Sequence, residues 1–395
     1  MGGALEVAGR VAVDAIGASR GPHRCSVGRG RKAPRVPGIT GIADADRNGG
    51  GPVRFVRWST VGIGEQEAMT RIGVLLGGIS AEREVSLKTG EAIVEALRSR
   101  GHDVVPIAVD REIDRALRAT PIDVAFIALH GKYGEDGCIQ GVLETMGIPY
   151  TGSGVLASAL AMDKLKAKEL FRLHNVPTPP YYELSAPVSD EKLEERHGSF
   201  GFPVMVKPRR EGSSIGIGRA NDMPELRAAV ANALQHDESI VVERFIKGKE
   251  VQVGILNGRV LGAIEIVPKR AFYDYQAKYT SGMSEYFFPA RLAPTRYQGV
   301  LRLAERAHQA LGCSGATRVD MIVTEGENEY VLEVNTLPGM TPTSLLPKIA
   351  SGCGIDFATL CEEVLKSARL SYGASATRAR VSPAPAVTRR TATAS

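Results

Sequence analysis

Cysteine is scarce in this 395-residue chain. There are five (Cys25, Cys138, Cys313, Cys353, Cys361), an odd number, scattered and without a Cys-x-x-Cys pair. That excludes a disulfide framework and points to a reduced, cytoplasmic compartment. Long apolar runs are missing too: no stretch of about 18 uncharged apolar residues occurs, so no membrane span is expected. The phosphate loop G-x-x-x-x-G-K-[ST] is absent. Acids are missing from residues 366–395, which carry six Lys/Arg and no Asp/Glu, and residues 1–69 carry ten basic against six acidic side chains. The net charge of +5 therefore belongs to the two ends, because residues 70–365 hold 33 basic against 38 acidic residues. A nucleic-acid enzyme places its basic stripe on the folded body, so this distribution argues against that class.

What is present is ordinary globular composition, 43% hydrophobic and 24% charged, enough for two or three domains at this length. Residues 1–69 are rich in Gly, Arg, Pro and Ala and lack helical or strand periodicity. They contain Asp14, Asp44, Asp46, Glu65 and Glu67, unlike an acid-poor transit peptide, and no apolar core of signal-peptide length. They read as a disordered leader, or as translated upstream sequence before a start at Met69. Residues 371–395, dominated by Ser, Ala, Thr, Arg and Pro, read as a disordered tail. Between the ends, the run Arg71-Ile72-Gly73-Val74-Leu75-Leu76 predicts a buried strand, followed by a helix ending near Gly101 and buried strands over 104–109 and 124–129. This is the rhythm of a parallel α/β layer. A second unit starts near Asp163 with a Lys-rich amphipathic helix and a Pro-rich joint. A third runs from about Val251 to Leu370, with strands predicted at 251–256, 260–267, 318–323 and 330–334. The expected division is thus 70–162, 163–250 and 251–370.

Three segments carry chemistry. At Lys207-Pro208-Arg209-Arg210-Glu211-Gly212-Ser213-Ser214-Ile215-Gly216 a strand ending in Lys enters a loop of small residues. Such a loop lets backbone N–H groups approach phosphate oxygens closely; a plain hairpin turn is the alternative. About thirty residues on, Val241-Val242-Glu243 ends a strand in a carboxylate able to accept from an adenine amino group, and Glu250 is placed to hold a ribose hydroxyl. A solvated strand end is the bland reading. Third, alternation puts Arg318 and Asp320 on one strand face and Glu333 and Asn335 on another. If the strands pair, Asp320, Glu333 and Asn335 converge as hard oxygen ligands suited to magnesium beside a phosphate; a salt-bridged surface sheet is the alternative.

Taken in order, these segments and their flanks resemble the ATP-grasp superfamily and, within it, the D-alanine–D-alanine ligases. The resemblance rests on Gly77-Gly78-Ile79-Ser80-Ala81-Glu82-Arg83-Glu84-Val85-Ser86, on His130-Gly131 with Gly134-Glu135-Asp136-Gly137, and on Met162-Asp163-Lys164. It continues through Glu211-Gly212-Ser213-Ser214, Tyr273-Asp274-Tyr275-Gln276-Ala277-Lys278-Tyr279 and Glu333-Val334-Asn335-Thr336-Leu337-Pro338-Gly339-Met340-Thr341, with Ser344-Leu345 beyond. It spans residues 71 to about 370.

The resemblance implies a three-domain α/β architecture: an N-terminal parallel, Rossmann-like domain and two α+β lobes gripping ATP. It implies that ATP phosphorylates one D-alanine and that the amine of a second displaces phosphate. By motif, Glu82 meets the ammonium of the first D-alanine, with Ser213 and Tyr279 latched to it; Arg318 and the Gly339 N–H stabilise oxyanions. Ser344 and Leu345 meet the carboxylate of the second D-alanine, and His130 lines the same cavity. Lys164, Lys207 and Lys278 neutralise phosphates, and Glu243, Arg244, Phe245, Ile246 and Glu250 surround the nucleoside. Asp320, Glu333 and Asn335 hold two Mg2+ or Mn2+ ions. Gln276 and Arg244 depart from the commoner family pattern. A homodimer is implied, with neither nucleic acid nor membrane as partner. The competing readings are a D-alanine–D-lactate ligase of the same fold, against which Tyr279 speaks, and a nucleotide-binding regulator that has lost catalysis, which predicts a missing metal ligand or oxyanion arginine.

Overall fold

Apolar residues without alternation make β1 (Arg71–Gly77), buried at every position but its first. A computed structural model describes residues 70–268, 284–326 and 328–372. Lys278 and Tyr279, with the rest of the Tyr273–Tyr279 motif, and the leader lie outside the described residues. β1 is the centre of a parallel sheet with β2 (Asp103–Val109) and β3 (Val124–Ile127), in the order β2-β1-β3. Parallel neighbours need crossovers, supplied by α1 (Arg83–Ser99) and α2 (Ile113–Ala119). β2 was expected to be buried throughout. As an edge strand with one uncovered face it instead mixes buried and exposed positions. α1 packs tightly on β1: a Cβ at Gly90 would lie 2.4 Å from the Leu76 Cβ.

After α3 (Cys138–Met146) and α4 (Val155–Met162), Asp163 caps α5 (Lys164–Leu173) by accepting from the Lys166 N–H. The next unit contains β4 (Tyr181–Ser185), α6 (Asp190–His197), β5 (Val204–Pro208), β6 (Gly218–Ala220), α7 (Met223–Ala233) and β7 (Ser239–Arg244). Its antiparallel sheet, β4-β7-β5-β6, encloses its own core of Tyr182, Leu184, Leu193, Val204, Val206, Leu226, Ile240 and Val242. The last unit comprises β8 (Lys249–Leu256), β9 (Arg259–Pro268), β10 (Ser284–Phe287), α8 (Pro294–Ala310), β11 (Ala316–Val323), β12 (Glu329–Asn335), α9 (Leu345–Gly352) and α10 (Phe357–Leu365). Its sheet runs β10-β9-β8-β11-β12, antiparallel throughout.

The cores do not follow chain order. α5 buries Ala167 and Phe171, one helical turn apart, in the core formed by Val251, Val253, Val300, Ala304 and Val319 of the last unit. α9 and α10 bury Leu346, Ala350, Leu360 and Val364 together with Ile72, Ile93 and Leu97 of the first. The expected boundary at 163 thus follows the chain but crosses packed structure, and the middle unit has a separate core only from β4 onward. At the C-terminal end, Tyr150 bridges Ala125 on one side and Arg369 on the other. The Glu144 carboxylate accepts from the N–H groups of Ser371 (2.6 Å) and Tyr372 (3.1 Å) and from the Tyr150 hydroxyl (2.7 Å). Ser371 and Tyr372, past the expected boundary at Leu370, are therefore held to the first unit. Among the described residues no helix is long and apolar enough to cross a membrane.

Candidate active site

The units meet around a cleft of about 740 Å3. Ten residues expected from sequence line it: Glu82, His130, Lys164, Ser213 and Arg318, and, from the last strands and helix, Glu333, Asn335, Gly339, Ser344 and Leu345. Lys207, Glu243, Arg244, Phe245, Ile246, Glu250 and Asp320 lie outside that lining.

Glu82 sits at the N-cap position of α1, where a carboxylate would ordinarily serve the helix. Its side chain makes no cap hydrogen bond. Buried to 7% exposure, it accepts from the Ser213 hydroxyl instead. The backbone clears room for this: a Cβ on Gly131 (φ +70°) or on Gly212 would stand 2.7 Å from Glu82 Oε2. Ser213 and Ser214 both adopt left-handed backbone, φ 46° and 61°, a sparsely populated conformation for residues with a Cβ that persists where surrounding contacts demand it. His130 is buried, with Nε2 3.1 Å from Thr89 Oγ1 and Nδ1 3.3 Å from Glu135 Oε1. Both ring nitrogens are thus held from within the first unit while the ring faces the cleft.

Behind the cleft lies a buried group of charges. Glu243, 2% exposed, is paired with Lys168 at 2.8 Å and with Lys207. Burial pushes the Glu243 carboxyl up, but the two ammonium groups outweigh it and hold it down at about 2. Burial lowers Lys207, but its carboxylate neighbours, Glu243 foremost with Glu333 and Glu250, together raise it overall. Lys164 and Lys168 are both lowered by burial, only partly compensated by Glu333 and Glu243. Lys168 was not among the residues expected from sequence. Its 1% exposure and its bond to Thr178 Oγ1 (2.7 Å) place it in the cluster; the available signal was its position one helical turn after Lys164 on α5. Lys164 Nζ donates to the Glu211 carbonyl, and the Glu211 carboxylate pairs with Lys132.

The remaining nucleoside candidates lie on and just after β7 and on β8. The Arg244 guanidinium donates to the Phe200 carbonyl and lies 5.2 Å from the Phe200 ring centroid, so its side chain is committed to its own unit. Arg219 stacks at 4.3 Å over Phe245. Ile246 follows β7, and Glu250, on β8, stands in register with Ile266 and Ile322.

The strands predicted to pair do pair. Asp320 lies opposite Glu333 and Arg318 opposite Asn335. Arg318 forks onto Asp320 at 2.7 and 2.8 Å, and Gln252 Nε2 approaches Oδ2 at 3.2 Å. Among the described residues no three His, Cys, Asp or Glu side chains gather as a metal cluster; the expected set is two carboxylates and an amide. A 5%-exposed carboxylate facing a second one across a strand pair, with an amide oxygen two residues on, is a donor set that fits a hard divalent cation. At the other end of the cleft, Ser344 precedes α9 but bonds Thr341 (Oγ–Oγ1 2.8 Å) rather than its own helix, and Gly339 packs against it. Leu345 is buried with Ile264, Ile266 and Ile349.

The chain is similar to known proteins over most of its length. Residues 112–153 match the family model "D-ala D-ala ligase N-terminus" and residues 170–366 match "D-ala D-ala ligase C-terminus". The D-alanine–D-alanine ligase of Geotalea uraniireducens (strain Rf4) is 56% identical over 300 residues, 76% of this chain and 96% of that protein. The crystal structure of D-alanine–D-alanine ligase from Bacillus anthracis complexed with ATP superposes with a TM-score of 0.66 at 36% identity, over 75% of this chain and 97% of that one. The VanG D-Ala:D-Ser ligase from Enterococcus faecalis gives a TM-score of 0.66 at 31% identity, over 75% and 98%. The chain belongs to the D-alanine–D-alanine ligase family.

Proposed function

We propose that the chain joins two D-alanine molecules into D-alanyl-D-alanine for peptidoglycan precursor synthesis, consuming ATP through a D-alanyl phosphate. A carboxylate resists amines because it is already anionic; phosphorylation supplies both an electrophile and a leaving group. The observation that carries this reading is Glu82, a buried carboxylate turned away from its helix and toward Ser213 at the mouth of the cleft. A buried anion in that position suits the ammonium of the first D-alanine. Arg318 and the Gly339 N–H, on the same cleft, suit the oxyanion that forms when the second amine attacks. Ser344 and Leu345 then meet the carboxylate of the second substrate, with His130 holding the wall between.

ATP is read as lying between the middle and last units, its phosphates against Lys164 and Lys207 and its nucleoside near Glu243, Phe245, Ile246 and Glu250. An arriving polyphosphate restores to Lys164 the anionic surroundings its burial denies it. Asp320, Glu333 and Asn335 would hold Mg2+ or Mn2+, which supplies charge neutralisation on the transferring phosphoryl group. Within this reading the three expected units are the working divisions: the first presents D-alanine, the other two grip the nucleotide. A cytoplasmic homodimer belongs to the same reading. Lys278 and Tyr279 keep their expected roles as phosphate partner and latch.

The test is phosphate release from ATP with D-alanine or L-alanine as the only amino acid, with the product identified by mass. Release dependent on D-alanine, yielding the dipeptide, is expected. Equal release with the two enantiomers, or no dipeptide, would refute the reading.

A further inference from the structure

The lysines read as phosphate partners belong to two different cores. Lys164 and Lys168 ride on α5, whose apolar stripe is buried in the last unit. Lys207 and Glu243 stand on β5 and β7, strands of the middle unit with its separate core. Something must set the distance between them. Arg209, two residues after Lys207, is fixed first in its own unit: its N–H donates to the Ser239 carbonyl at 3.0 Å, and its Nη1 donates at 2.9 Å to Glu183 of β4, itself held by the Ser239 hydroxyl at 2.6 Å. From that anchor the guanidinium reaches across to Asp163, the residue that caps α5. Nε lies 2.8 and 2.9 Å from the two carboxylate oxygens, and Nη2 lies 2.7 Å from Oδ2. The main chain repeats the link, with the Lys164 N–H donating to the Arg209 carbonyl at 3.0 Å.

We propose that Arg209 is a positioning residue for ATP: its fork onto Asp163 locks the start of α5 to the loop after β5, and so sets the spacing of Lys164 and Lys168 against Lys207 and Glu243. This rests on the reading of Lys164 and Lys207 as phosphate partners. The geometry suits the task. A planar guanidinium bound through two nitrogens fixes orientation as well as distance, which an ammonium cannot. Both side chains are largely withdrawn from water, 19% and 16% exposed, so the pair is less screened than a surface bridge. Arg209 also holds the Asp163 carboxyl below its ordinary value against the opposing effect of burial. Nothing in the arrangement requires Arg209 to touch ATP.

The experiment is steady-state kinetics on the full chain carrying Arg209→Gln, Arg209→Lys, Asp163→Asn and the double substitution Arg209→Gln/Asp163→Asn, with a melting curve for each. Arg209→Gln should raise the KM for ATP about tenfold or more, the scale of a lost charge-assisted pair, while the KM for D-alanine holds. Arg209→Lys should recover only part of the loss. Asp163→Asn keeps a competent helix cap, so it should reproduce the ATP effect without unfolding α5 and serves if Arg209→Gln does not fold. The double variant should be no worse than the worse single, because both remove one interaction. An ATP KM within about twofold of the parent in Asp163→Asn, or single effects that add, would overturn the proposal. A drop in melting temperature alone would reduce Arg209 to a structural role and overturn it too. Lys164→Met and Lys207→Met separate the two ideas: if they leave the ATP KM unchanged, the phosphate reading fails, whereas if they raise it and the clamp variants do not, only the clamp fails.

Discussion

Replacing Glu243 with Gln removes a carboxylate that both Lys168 and Lys207 contact. The side chain keeps its size, so cavity formation contributes little and the effect isolates charge. Two routes to the magnitude agree. The carboxyl is held at about 2 against an ordinary value of 4.5, which by linkage corresponds to about 3 kcal/mol of stability at neutral pH. Breaking a buried ion pair by removing one partner costs about 3–5 kcal/mol because the remaining charge has no compensation. For a body of about 300 residues, about 3 kcal/mol lowers the melting temperature by roughly 5 °C.

The sign with pH follows from the direction of the shift. A depressed carboxyl stabilises above its unfolded value and loses that contribution as pH falls toward its folded one. The gap between parent and Glu243→Gln, measured as the difference in urea midpoint, should therefore stay constant from pH 7 to about pH 5 and shrink only below about 4.5. A variant melting within about a degree of the parent would show that the lysines find other compensation. A gap that widens as pH falls from 7 to 5 would show that a buried lysine has given up its proton in the variant, against the constant gap expected here.

Two further outcomes are expected. Asp320→Asn or Glu333→Gln should each cut turnover by about a hundredfold or more and shift the magnesium titration to higher concentration, and Asp320→Asn should also lower the melting temperature because it breaks the buried fork from Arg318; a normal rate with unchanged magnesium dependence refutes the ligand assignment. Gly131→Ala forces a left-handed φ of +70° on a residue with a Cβ and brings that atom 2.7 Å from Glu82 Oε2, so the KM for D-alanine should rise while the ATP KM holds; parental kinetics would show that Glu82 has room to spare.

What was legible in the sequence was local or periodic. β1 announced itself by an unbroken apolar run. Because alternation is a strict period of two, knowing only that β11 and β12 pair was enough to place Asp320, Glu333, Arg318 and Asn335 together, and the observed register bears this out. Glu82 and Ser213 are 131 residues apart, and their meeting came only from the resemblance, since no spacing rule links them. The edge position of β2 was hidden because an edge is defined by what is missing beside it, and that depends on strand order.

The least legible features are those on the seams between cores. α5 reads as the opening of the middle unit because it precedes β4 in the chain, yet Ala167 and Phe171 find their apolar partners in the last unit. That choice brings Lys168 opposite Glu243 and Asp163 opposite Arg209. Periodicity could mark Lys164 and Lys168 as sharing a face of α5, but it could not say which carboxylate that face would meet. The same holds for α1, whose buried side is completed by α9 and α10 from the far end of the chain. A cleft assembled at such seams can change the spacing of its charged groups by small movements of whole cores, with no side chain leaving its own packing. The ion pairs that cross the seams, Glu243 with Lys168 and Asp163 with Arg209, are therefore where substitutions should alter ATP binding without changing the apolar packing of either core.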